Sequence, residues 1–206
     1  MRKAAEEFAW QCAEKYINDA KRLALAGANT FHHPDDGPDE RRQAICDGFI
    51  LATYDVPFDG LVKAPKSRDG NVPPVEKYLR ASRGAMRDLG FKTGQLPSYK
   101  EVKRLWAEEK RRCSGHPQDR NYRYCLAKEN TRYLSVFVDV RKLIQFMELT
   151  DSKGGETFFY TEPLSPVFLE VWREYREPRM GLAIEGALLP MRVAEDSPVL
   201  NLPKEG

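Results

Sequence analysis

Residues 98–112 limit what this chain can fold into more than any other stretch. Ser98 and Glu101 stand at the S-x-x-E spacing of a capping box, in which each side chain satisfies the other residue's free backbone N–H. Pro97 keeps the residue before it out of the helical region. Val102, Leu105 and Trp106 follow at helical spacing, and Lys110, Arg111 and Arg112 complement the negative end of the helix dipole. A helix with so narrow an apolar stripe belongs on the outside of a larger core, with its cations facing water.

That core has to come from the flanks. Three Trp, nine Tyr and ten Phe supply enough apolar surface for a globular chain, and 206 residues suffice for one domain, or one with a small appendage. Residues 3–26 read as an amphipathic helix on the spacing of Ala5, Phe8, Cys12, Tyr16, Ile17, Ala20 and Leu23, with Gly27 at its end. Residues 27–38 read as a loop. Residues 38–53 read as a second helix, with Pro38 in the first turn and Ala44, Ile45, Phe49 and Ala52 on the buried side. Four Pro and two Gly in 54–74 mark a long connection. A third helix spans 73–90, with Val75, Tyr78, Leu79, Met86 and Leu89 on one side.

Beyond the capped helix, 114–121 is loop, and two strands, 122–126 and 131–138, face each other across a turn at 127–130. The second is apolar on both faces, which suits a central strand. Asp139 caps a short helix through Met147, 150–155 is a turn and 157–161 a strand. Ser165 is placed to cap a helix over 166–176, with Val167, Phe168, Val171, Trp172 and Tyr175 inward. A last strand lies within 180–193, and the final dozen residues form a tail. The expected fold is α+β: several helices packed with a small, mainly antiparallel sheet. A helical part, 1–62, precedes an α+β part, 63–206, unless the whole chain is one domain.

The net charge of +2 conceals an uneven distribution. Residues 77–142 hold 17 Lys/Arg against 7 Asp/Glu, a balance of +10, so the remainder sums to −8. A basic stretch in an otherwise acidic chain is the footprint of an anionic partner. Candidate phosphate contacts are Lys77, Arg80, Arg83, Arg87, Lys100, Lys103, Arg104, Arg111 and Arg112. The planar fork of Arg donates two parallel hydrogen bonds to a phosphate. Tyr122, Arg123 and Tyr124 would add stacking for unpaired bases. The expected partner is nucleic acid, DNA or RNA, or else an acidic protein surface. The expected role is an accessory protein or subunit of a nucleoprotein complex. The rival role is a protein-interaction module, such as a phage- or plasmid-encoded inhibitor or adaptor of a host defence complex.

Three other chemistries are weaker. Cys113-x-x-His116 with Cys125 has the first spacing of a zinc knuckle, but Cys125 has no close second ligand, and neither metal nor cofactor is expected. Residues 94–98 followed by Glu101 and Val102 resemble the helix start of bacterial winged-helix repressors. The connection from Phe91 to Pro97 is longer than the usual turn and no third helix follows, so that family is not assigned. The run Phe158-Phe159-Tyr160-Thr161-Glu162, with Glu170 on the next helix, resembles NAD-consuming transferases, which place an aromatic and a Glu beside the cofactor. The Arg and Ser signatures of those enzymes are not recognised here. No apolar run approaches the roughly 20 residues a bilayer needs, and the N-terminus lacks a signal-peptide core, so a cytoplasmic protein with reduced thiols is expected.

Overall fold

The structure, a computed structural model, describes residues 27–31, 42–46, 49–54, 91–113, 121–175 and 180–202. The readings of 3–26 and 73–90 as helices, and of 54–74 as a connection except at Tyr54, lie outside the described residues.

Sheet dominates, which corrects the expectation of several helices around a small sheet. Among the described residues, nine strands form in chain order: β1 (Gly27–Phe31), β2 (Arg42–Cys46), β3 (Ile50–Tyr54), β4 (Lys92–Gln95), β5 (Arg123–Ala127), β6 (Val136–Asp139), β7 (Thr157–Tyr160), β8 (Val167–Tyr175) and β9 (Met180–Leu188). Two α-helices are described, α1 (Tyr99–Arg112) and α2 (Val140–Leu149). Seven strands make one antiparallel sheet in the order β1-β2-β3-β9-β8-β7-β4, and β5 and β6 pair separately. Among the described residues, no helix is long and apolar enough to cross a membrane.

Two expected helices are strands, for different reasons. Residues 38–53 contain β2 and β3, which pair Cys46 with Leu51. The Asp47-Gly48 dipeptide between them is a hairpin signal that outweighs the helical spacing. Residues 166–176 contain β8. Its apolar run fits a 2-residue period as well as a 3.6-residue one, and Val167, Leu169 and Val171 are the buried set. Val, Phe, Trp and Tyr then decide the matter in favour of strand. The expected loop 27–38 also contains a strand, β1.

α2 is the centre of the packing. It lies on β3 and β9 and also contacts α1 and β6. Val140, Leu143, Ile144, Phe146, Met147 and Leu149 are all buried. Its approach to the sheet depends on Gly186 in β9, where a Cβ would sit 2.6 Å from Phe146 Cε2. Asp139 caps α2 by accepting from the Arg141 N–H at 2.8 Å.

β6 is not central in the large sheet; it belongs to the two-stranded β5–β6 pair. It is apolar on both faces because each face is covered. Val136 and Val138 join the main core, while Phe137 joins a second cluster with Cys125 and Val199. The strand also starts later than expected, because Arg132–Leu134 form a 3-10 turn that leaves Tyr133 and Leu134 exposed. Residues 189–202 bind both edges of the pair. The Met191 N–H donates to the Phe137 carbonyl at 2.7 Å. On β5, Asn201 accepts from the Cys125 N–H and donates to its carbonyl, each at 2.8 Å.

Candidate nucleic-acid interface

Local sequence positions α1, though not through the expected capping box. Ser98 occupies the N-cap with extended backbone angles, but its side chain makes no capping hydrogen bond. The Tyr99 N–H is satisfied by the Lys153 carbonyl at 3.1 Å instead. Gly154 follows Lys153 at φ 111°, and a Cβ there would meet the Pro97 carbonyl oxygen at 2.6 Å. Glu156 ties the same turn by accepting from the Lys153 and Gly154 N–H groups. The start of α1 is therefore held by a turn more than fifty residues away in the chain.

Val102 and Glu109 are the buried residues of α1, and Leu105 and Trp106 pack partly against the core. Glu109 fixes the far end. Its Oε1 accepts from Arg112 Nη2 at 2.7 Å, the Asn121 N–H at 2.8 Å and Cys113 Sγ at 3.1 Å, and its Oε2 accepts from Arg112 Nε at 2.9 Å. The Arg112 guanidinium, with help from Asn121 and Cys113 and against the effect of burial, pulls the Glu109 carboxyl down to about 2. Arg112 is thus engaged in closing the helix end.

The remaining cations share one side. At about 100° per residue, Lys100, Lys103, Arg104, Lys110 and Arg111 fall in a sector of roughly 120° that contains no acidic residue; Glu101 and Glu108 lie beyond it. All five are exposed. Arg104 pairs with Glu108 at 2.7 Å and Lys103 lies 3.8 Å from Glu148. Such exposed pairs contribute about 0–1 kcal/mol, too little to hold a cation away from a phosphate. Lys100, Lys110 and Arg111 have no carboxylate partner among the described residues.

Aromatic rings border this sector. Tyr99 lies beneath Lys103 and Lys153, with their ammonium groups 5.0 and 6.0 Å from the ring centre. Lys110 lies 5.6 Å from the Trp106 ring, Trp106 lies 5.2 Å from Tyr122, and Arg141 covers Tyr122 at 3.8 Å. Lys110, Trp106, Tyr122 and Arg141 therefore form a continuous row leading from α1 to the start of α2. The i,i+4 spacings Tyr99–Lys103 and Trp106–Lys110 were visible in the sequence. The role of Arg141 was not, because it depends on the fold bringing Tyr122 beside it.

Among the described residues, the other expected site residues do not join this row. Lys77, Arg80, Arg83 and Arg87 lie outside the described residues. Arg123 is half-buried at the start of β5. Tyr124 is only 5% exposed, and burial pushes its hydroxyl up to about 12, so its ring belongs to the core. Of the zinc candidates, His116 lies outside the described residues. Cys113 is buried against Glu109, and Cys125 is buried with Phe137 and Val199, where burial pushes its thiol up to about 11. Among the described residues, no three His, Cys, Asp or Glu are grouped as metal ligands would be. Glu162 lies in the turn after β7, and Glu170 lies on β8, not on a helix. A cavity of about 430 Å³ opens beside the 3-10 turn, lined by Lys128, Arg132, Phe137, Glu195 and Asp196 among others, with charges of both signs.

No protein-family model matches the sequence, and no curated protein matches it significantly. Among solved structures, the chain is similar to a crystal structure from Eubacterium rectale provisionally named a DNA polymerase III beta subunit. The TM-score is 0.43 at 8% identity, over 89% of this chain and 63% of that one. This chain thus spans less than two thirds of that protein, and at such a degree of likeness neither its fold nor its name passes to this chain.

Proposed function

We propose that this protein binds nucleic acid, mainly through the phosphate backbone, as an accessory protein or subunit of a nucleoprotein complex. The observation that carries the reading is the segregation of charge on α1. Five exposed cations occupy one side of the helix, and the acids that would neutralise them lie elsewhere or hold them only by exposed pairs. Backbone phosphates repeat at short intervals, so a ridge of cations with few internal partners suits them better than it suits an isolated anion. Contacts of this kind fix position on the strand without reading sequence.

Two sets of substitutions test this. Lys100, Lys110 and Arg111 changed together to Ala should weaken binding to mixed-sequence DNA or RNA while leaving the melting temperature nearly unchanged. Arg112→Ala should do the reverse, lowering stability through the loss of its pair with Glu109 and leaving affinity nearly intact. Equal affinity of the triple variant and the wild type would overturn the reading. The alternative, a protein-interaction module, is favoured by the exposed Tyr133 and Leu134 of the 3-10 turn. It predicts a partner whose capture survives nuclease treatment and is lost on Tyr133→Ser.

A further inference from the structure

We infer that Arg141 is a stacking platform for an unpaired base, so that the nucleic acid preferred by this protein is single-stranded. This rests on the proposed function and extends it from the backbone to the bases. The guanidinium of Arg141 is held on two of its aspects. One face lies on the Tyr122 ring, with Cζ 3.8 Å from the ring centre. Its edge is fixed by Asp139, which accepts from Nε at 3.1 Å and from Nη2 at 2.6 Å. Asp139 is itself held as the cap of α2. The side chain nevertheless remains 50% exposed.

Two of the five guanidinium N–H donors, those of the Nε–Nη2 edge, are engaged by Asp139, so that edge is not open to a phosphate. The guanidinium remains a flat cation with a face available, the surface on which a nucleic-acid base stacks. In a duplex the base faces are covered by their neighbours, whereas an unpaired base offers its own. The row Arg141, Tyr122, Trp106, Lys110 connects this platform directly to the cations of α1, so one strand can lay its phosphates along the helix and turn a base onto Arg141. The platform is ordered before the ligand arrives, which removes part of the entropic cost of stacking on a long side chain.

The test is a titration of the full chain with four labelled probes of equal length: single-stranded DNA, single-stranded RNA, a duplex, and a single strand of abasic sugar-phosphate. Arg141→Lys keeps the charge and loses the plane. Its cap is unaffected, because Asp139 caps through the backbone N–H of Arg141. Arg141→Lys should lose about five- to a hundredfold in affinity for the two single strands, and less than about twofold for the duplex and the abasic strand. Tyr122→Leu, which removes the support beneath the guanidinium, should give the same pattern and serves if Arg141→Lys does not fold. Equal losses on all four probes, or no loss on the single strands, would overturn the inference while leaving backbone binding by α1 intact. Failure of the unaltered protein to bind any probe would overturn the proposed function as well.

Discussion

Glu109 shows how one buried carboxylate can organise a helix end. It is 7% exposed and accepts four hydrogen bonds, from Arg112, Cys113 and Asn121. Its folded value lies well below the ordinary carboxylate value, so the stability it contributes is present above about pH 4.5 and is lost as pH falls towards about 2. At most that amounts to roughly 3 kcal/mol. Glu109→Gln should therefore lower stability at neutral pH by about 1–3 kcal/mol and flatten the acid limb of the stability curve between pH 5 and 2. Denaturant titrations across that range check both parts; an acid limb as steep as in the wild type would show that another carboxylate is responsible. The start of α1 gives a second test. Ser98→Ala should change stability by less than about 0.5 kcal/mol, because its side chain makes no cap. Gly154→Ala should cost about 1–3 kcal/mol and loosen the start of α1, which amide exchange at Tyr99 would report.

At the level of elements, the sequence was legible where one signal stood alone. Helix α1 and the Asp139 cap of α2 were both apparent, as were β7 and β9, because Pro97, Asp139, the aromatic run of β7 and the short apolar run of β9 admit few alternatives there. It was misleading where two periods fitted the same residues. β8 and the β2–β3 hairpin carry apolar residues at helical spacing, and what makes them strands is pairing with β7, β9 and β1, which no local window contains. Charge on α1 was legible for the same reason as the helix itself. The partition of its cations was not: Arg112 pairs with a Glu109 carboxylate that is buried and also accepts from the Asn121 N–H, a contact no local window contains. The edges of the β5–β6 pair are another long-range effect, held by Asn201 and Met191. Asn201→Ala removes both bonds to Cys125 and should destabilise the protein by about 1–3 kcal/mol, exposing the Cys125 thiol to alkylation. A thiol that stays as slow to react as in the wild type would argue against that clamp.

Across the whole molecule, the antiparallel sheet and α2 form the support, and α1 rides on α2 with its cations outward. The central claim is that these cations act together on a polyanion. Its most direct test is the salt dependence of affinity for a mixed-sequence duplex, measured for the wild type and for the variant lacking Lys100, Lys110 and Arg111. About five phosphate contacts predict a fall of two to three powers of ten between 50 and 200 mM salt, and the variant's logarithmic slope should be shallower by about 2 to 3. A wild-type affinity indifferent to salt, or an identical slope in the variant, would contradict the account.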